Sequence, residues 1–338
     1  MDELILYFIF LLFASYFLLK ITIFTLKYFN FISKPTNRGL HVSPVTTSGG
    51  AYFVFYLIVL FFHFNENLFN NNLLEIIFLL LFTIFFGMMD DKMNFKRTNK
   101  LVIQFTLSLI LISLFNFDLS QSLFPLIQID TFYFFLNLIF LIAFINFINF
   151  IDGSDGNLIL FVFFIFFCLI TKLYFNQLIF NYVYLVYFIP FIIIFYLFNI
   201  QKKIFLGDSG SIFLSIFLIL NLNYFVDKEV IKIYDVLIIS SYFIVDMFIT
   251  FCLRIYYYGF NSFKAHRDHA YQNYCLINKN HKKLNLYFSI YNFLYLFPLY
   301  LLFVNDLITS LIALLSCLIP ATIFVVKYSP LVKINNDK

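Results

Sequence analysis

Leu4 to Leu26 reads LILYFIFLLFASYFLLKITIFTL, with Lys20 as its single charge. At 1.5 Å per residue this stretch makes a helix of roughly 35 Å, enough to cross a hydrocarbon core of about 30 Å. The run is longer than the core of a signal peptide and lacks both a basic start and a small-residue cleavage site, so it reads as a retained span. Comparable apolar runs recur near 51–64, 73–89, 101–117, 131–151, 158–175, 179–199, 209–226, 234–254, 284–304 and 308–326, and 51–64 is the shortest. Inside a bilayer every backbone polar group must be satisfied within its own segment, so these runs predict helices and exclude a barrel. The expected fold is all-α: a polytopic integral membrane bundle of about 11 transmembrane helices, forming one domain over 1–338.

Composition agrees. Apolar residues make up 62%, charged residues 12%, and the mean hydropathy is +0.92. Soluble domains run near 45–50% apolar and about 25% charged, so a water-soluble enzyme or nucleic-acid-binding module is excluded and no nucleic-acid partner is expected. Phe (54) and Tyr (24) abound while Trp is absent, a bias that carries no function by itself. Cys168, Cys252, Cys275 and Cys317 show no CxxC spacing, so neither a disulfide nor a cysteine metal site is expected.

Eleven spans divide the connections into two sets. One holds 27–50, 90–100, 152–157, 200–208, 254–283 and the C-terminus, and carries 18 of the 22 Lys and Arg with a net charge of +11. The other set, with the N-terminus, carries only Lys172, Lys228 and Lys232 and a net charge of −7. The positive-inside rule makes the first set cytoplasmic, leaving the N-terminus outside, periplasmic in a bacterial inner membrane, and the C-terminus inside.

The unusual polar clusters all fall on the basic side: KPTNRGLH (34–41) leading to Gly49-Gly50, GMMDDK (87–92), NFINFIDGSDGN (146–157), KIFLGDSGS (203–211) and KAHRDHAYQ (264–272). Asp90 and Asp91 sit side by side at the end of a span, where acids are costly and tend to be functional. One of such a pair can hold a metal or partner while the other handles a proton or phosphate. Asp208, set among Gly207, Ser209, Gly210 and Ser211, reads as a helix N-cap, as a Mg²⁺ ligand at a phosphate-binding helix start, or as both. Asp152 to Asn157 lacks the spaced ligands and the final Glu of a calcium loop; it reads as a glycine-permitted turn presenting Asp152 and Asp155. Asn146 and Asn149, about one turn apart, could read a nucleobase edge or bridge helices. His266-Arg267-Asp268-His269 offers no third zinc ligand, so cationic recognition of a diphosphate by His266, Arg267 and His269 is the better reading.

Taken together and in order, these segments resemble the polyprenyl-phosphate N-acetylhexosamine-1-phosphate transferase family. The likeness runs from about Lys34 to Gln272 and rests on the Asp90-Asp91 pair, the NxxNxxDGxDG segment (Asn146, Asn149, Asp152, Gly153, Asp155, Gly156), the FxGDxGS segment from Phe205 to Ser211, and the His-rich loop. Its HRDHAYQ form is more similar to the branch using N-acetylated 6-deoxyhexosamines such as FucNAc or QuiNAc, which initiates O-antigen synthesis. The resemblance implies that Asp90, Asp91 and Asp208 form the catalytic set. Asp208 and Asp91 would meet Mg²⁺, for which Mn²⁺ can substitute, and Asp90 would lie by the lipid phosphate. It further implies that Asn146, Asn149, Asp152, Asp155, Lys100, His41, His266, Arg267 and His269 contact the substrates, a UDP-N-acetylhexosamine and undecaprenyl phosphate. Membrane lipid and a second copy of the chain, as a homodimer, complete the implied partners. The chain departs from the family pattern after His41, where Pro44 is followed by Val45-Thr46-Thr47-Ser48 without the usual second Pro and Arg, and a phosphate or lipid contact is thereby missing.

Other readings are weaker. A phospho-MurNAc-pentapeptide translocase belongs to the same family. A transporter would place polar groups near the midplane on broken, repeated helices, and this sequence shows no repeat. A CDP-alcohol phosphotransferase would need a DGxxAR signature, absent after either Asp-Gly. Asp246, inside a span, is expected to pair with a neighbour such as Arg254.

Overall fold

A computed structural model describes residues 2–34, 43–63, 72–115, 130–259, 268–278 and 280–330. The chain folds as two compact units, Met1–Val230 and Ile231–Lys338.

The first unit opens with α1 (Asp2–Tyr28), a two-residue ribbon of β1 (Ile32–Ser33) and β2 (Val45–Thr46), a 3₁₀ turn (Gly49–Phe53) and α2 (Val54–His63). There follow α3 (Leu73–Met93), α4 (Arg97–Leu114), α5 (Asp130–Ile151), α6 (Asn157–Phe175), α7 (Val183–Asn199) and α8 (Gly207–Asp227). Helix α8 is the axis of this unit: 94% of its apolar window is buried, against 17% for α1. Its first turns, Gly207-Asp208-Ser209-Gly210-Ser211, are built of small residues. In a membrane, where lipid is as apolar as the core, small residues drive packing by letting backbones meet. A Cβ on Gly50 would lie 2.3 Å from the Ser209 carbonyl carbon, and one on Gly87 would lie 2.2 Å from Ser209 Cα. Both glycines therefore let the 3₁₀ turn and α3 rest directly on the α8 backbone. Farther along α8, Phe213 and Phe217 stack on one another and join Phe53, Phe166 and Phe188 in a buried aromatic cluster. On the outward faces, Phe10, Phe13, Phe78 and Phe85 are exposed, as lipid-facing residues should be.

The second unit contains α9 (Ile233–Ile239), α10 (Ser241–Tyr258), α11 (Ala270–Asn278) and α12 (His281–Ser289), which continues through a π segment (Ile290–Leu296) into α13 (Phe297–Val304), and finally α14 (Ser310–Tyr328). Tyr242, Phe288 and Phe324 pack its interior.

The expectation of a helical membrane bundle holds. Among the described residues, eight helices are long and apolar enough to cross a bilayer, or nine if the bent pair α9 and α10 is one span, against an expected eleven. Three runs account for the difference. The 51–64 run is a short apolar helix, Gly49–Phe62. The 101–117 run sits on α4, whose first turn carries Arg97 and Lys100. The 234–254 run breaks at Ser240 with a 77° bend. There the Ser240 hydroxyl and backbone N–H both donate to the Val236 carbonyl.

Candidate active site

Four helix ends of the first unit bring their polar residues together: the C-termini of α3 and α5 and the N-termini of α4 and α8. Lys100, in the first turn of α4, places Nζ 2.6 Å from Asp90 Oδ2 and 2.6 Å from Asp208 Oδ2. The Asp90 side chain is almost wholly buried, at 1% exposure, whereas Lys100 keeps 38%, so this triad is reached from the Lys100 side. Asp90 Oδ1 also accepts the Phe95 backbone N–H at 2.9 Å, which fixes the turn between α3 and α4.

Asp208 is not the cap of its helix. It lies one residue inside α8, and the capping is supplied from α3. Asp91 Oδ1 accepts the Asp208 N–H at 2.8 Å, and its Oδ2 accepts the Ser209 N–H at 3.4 Å and the Ser48 hydroxyl at 2.8 Å. A carboxylate at a helix N-terminus satisfies orphan donors and meets the positive end of the dipole. Gly207 makes this approach feasible, because a Cβ there would sit 2.4 Å from Asp91 Oδ2, and its φ of +71° suits glycine. Freed from capping, the Asp208 carboxylate turns outward to Lys100 on one oxygen and, at 2.8 Å, to Asn149 Nδ2 on the other. Asn149 also donates to Ser211 Oγ at 2.9 Å.

Asn146, one turn before Asn149, bridges helices: its amide and that of Gln104 on α4 exchange hydrogen bonds of 2.8 and 3.2 Å. The Asp152–Gly156 segment is a tight turn, with Gly156 at φ +83° and its N–H held 2.6 Å from Asn199 Oδ1. Asp155 lies 3.8 Å from Lys202 Nζ. Asp152 is half-buried, and no described residue donates a hydrogen bond to its carboxylate. Burial, and then the negative charges of Asp208, Asp91 and Asp155, hold its carboxyl well above the usual carboxylate range.

His41, His266 and Arg267 lie outside the described residues. In the second unit, His269 is buried, with Nδ1 3.7 Å from Asp246 Oδ1. The expected Asp246–Arg254 pairing is corrected. Arg254 instead pairs with Asp268, and Asp246 accepts the Thr250 hydroxyl at 3.1 Å and the Ala270 N–H at 3.0 Å. The chain bends back after α10, so its acid meets the start of α11 rather than an arginine two turns along its own helix.

Ser48 and Asn199 have no role in the sequence reading. Each makes a contact 43 residues away along the chain, and a lone Ser or Asn has no local signature to reveal such a partner.

As to a divalent cation, no three His, Cys, Asp or Glu side chains among the described residues gather closely enough to hold one. The donor chemistry nonetheless fits Mg²⁺. Asp90, Asp91, Asp152 and Asp208 offer hard oxygens, and among the described residues Lys100 is the cation paired with two of them, Asp90 and Asp208. Magnesium usually takes one or two carboxylates and completes its shell with water and substrate phosphate.

Fold and site thus define a polytopic membrane protein with a carboxylate–lysine centre at converging helix ends. Residues 73–224, somewhat under half of the chain, match the model of glycosyl transferase family 4. The match spans α3 to α8 and includes Asp90, Asp91, Lys100, Asn146, Asn149, Asp152, Asp155 and Asp208, a narrower stretch than Lys34 to Gln272. No curated protein matches the chain significantly.

Proposed function

We propose that this chain transfers an N-acetylhexosamine-1-phosphate from a UDP-sugar to a polyprenyl phosphate such as undecaprenyl phosphate and releases UMP. The observation that carries the reading is the Asp208 carboxylate, held outward by Asn149 and Lys100 at the start of the most buried helix, inside the matched family segment. A phosphate oxygen of the lipid attacks the β-phosphorus of the UDP-sugar. The bond from that phosphorus to the bridging oxygen breaks, and its electrons leave with UMP. Negative charge grows on the bridging oxygen, so positioned cations and donors supply most of the catalysis.

Lys100 suits that task, since its ammonium already bridges two carboxylates and can swing onto phosphate without leaving the site. Asp208, with Asp91 bracing it from behind, would hold Mg²⁺, which when bound neutralises phosphate charge. Asp90 keeps Lys100 aimed, while Asp152 and Asp155 lie on the turn beside the cluster and would orient the nucleotide sugar. The Lys and Arg asymmetry supports a cytoplasmic position for this end in a bacterial inner membrane. The HRDHAYQ loop supports an N-acetylated 6-deoxyhexosamine donor of the FucNAc or QuiNAc kind, and with it the start of an O-antigen or related envelope polysaccharide.

The test is transfer of label from UDP-GlcNAc, UDP-FucNAc and UDP-QuiNAc to polyprenyl phosphate in membranes containing the protein with Mg²⁺. At least one donor should be used, and Asp208→Asn should abolish the transfer. Undiminished transfer by that variant would overturn the role given to Asp208.

A further inference from the structure

Away from the carboxylate centre, the first unit contains a cavity of about 480 Å³ between the C-terminal ends of α1 and α7 and the strand β2. Four lysines line it, Lys20, Lys27, Lys202 and Lys203; among the described residues no acid lines it, and Asp155 lies 3.8 Å from Lys202 Nζ. Lys20 lies eight residues before the end of α1, roughly 12 Å below it along the helix axis, inside an apolar span, where its ammonium rests 4.4 Å from the centre of the Tyr16 ring. A charge at that depth is costly unless something meets it. Lys20 and Lys27, two turns apart, lie on one face of α1.

The other two lysines occupy a costly turn. The chain leaves α7 through a closing motif in which the Lys203 N–H donates to the Phe198 carbonyl at 3.1 Å and the Lys202 N–H to the Asn199 carbonyl at 2.8 Å. Lys202 takes the left-handed position of that motif, φ +57°, where glycine is the usual residue. A lysine there keeps a charge at the cavity against the preference of its backbone.

Ile21 and Phe24, beside Lys20 on α1, are exposed apolar residues, so this flank of the cavity faces lipid.

We propose that this four-lysine cavity binds the phosphodiester headgroup of an anionic membrane phospholipid. Basic pockets between membrane helices recognise such headgroups by charge. The depth of Lys20 and the apolar flank favour an occupant already in the bilayer over a soluble anion. The assignment does not rest on the transferase reading, and Lys202, which lies 3.8 Å from Asp155, is left unchanged in the variants that test it.

The experiment is a binding titration of the purified full chain in neutral detergent with dioctanoyl phosphatidylglycerol, dioctanoyl phosphatidylcholine and inorganic phosphate. The glycerol lipid should bind saturably and at least about tenfold more tightly than the choline lipid, whose headgroup carries no net charge. Each lysine removed should weaken binding about fivefold, so Lys20→Gln with Lys203→Gln should weaken it about 25-fold. The charge-preserving Lys20→Arg with Lys203→Arg should retain it. Equal affinity for the two lipids, or unchanged affinity in the double Gln variant, would overturn the proposal. Inorganic phosphate competing as tightly as the lipid would also overturn it, by assigning the cavity to a soluble anion.

Discussion

The contact between Gly87 and α8 makes a quantitative prediction. In Gly87→Ala the new methyl would fall 2.2 Å from Ser209 Cα, 2.4 Å from Ser209 N and 2.6 Å from the Asp208 carbonyl carbon, all backbone atoms that cannot rotate away. Ordinary van der Waals contact begins near 3.4 Å, so α3 and α8 must separate by about 1.2 Å at this level. Overpacking of this kind costs about 1–3 kcal/mol in stability. Its larger effect is on geometry. Asp91 on α3 caps α8, and Lys100 reaches Asp208 at 2.6 Å, so a shift of that size breaks the Asp91 cap and opens the Lys100–Asp208 contact. A misplacement of about 1 Å near the reacting groups can cost on the order of 100-fold in rate. The assay is the maximal rate of sugar-phosphate transfer in detergent, with the thermal unfolding midpoint recorded on the same preparations. Phe85→Ala serves as the comparison, since that side chain is 62% exposed on the same helix and should leave the rate near wild type. A Gly87→Ala protein that keeps the wild-type rate would refute the claim that this close approach positions the site.

Three further outcomes follow from the same geometry. Asp91→Ala leaves the Asp208 N–H, the Ser209 N–H and the Ser48 hydroxyl without their acceptor, and should lower stability by about 1–3 kcal/mol; Asp91→Asn, which keeps acceptor capacity, should lose less, as read from unfolding midpoints. Lys100→Met removes the cation shared by Asp90 and Asp208 and should depress the transfer rate at least about 100-fold, with Lys100→Arg partly restoring it; equal rates for Met and Arg would argue against a charge role. The raised carboxyl of Asp152 means that the folded state holds a proton the unfolded chain releases near pH 4, so in the absence of divalent cation stability should fall as pH rises above about 4, until the folded group has ionised. Unfolding midpoints of Asp152→Asn should show a flatter profile over that window, and Mg²⁺ should flatten the wild-type profile by offsetting Asp208 and Asp91.

The sequence by itself determined that this chain lives in a membrane and that it is helical, and it singled out the acids that the fold brings together. Long apolar runs leave the backbone no alternative to helix in lipid. Asp90, Asp91, Asn149 and Asp208 stood out because polar residues in such a chain are few. The span count was less legible, since hydropathy registers the apolar residues around Ser240 and not the 77° bend that the chain makes there. What each acid does was decided only by tertiary structure. Asp91 and Asp90 are neighbours in sequence, yet successive residues on a helix point about 100° apart. One therefore caps α8 while the other pairs with Lys100. Likewise Asp208, placed in sequence as a cap would be, is released to face the site because an acid from another helix takes over the capping. Direction and partner depend on which helix ends meet, and those meetings are set by glycines at 50, 87 and 207, whose missing side chains carry no signal until the helices they allow to touch are seen together.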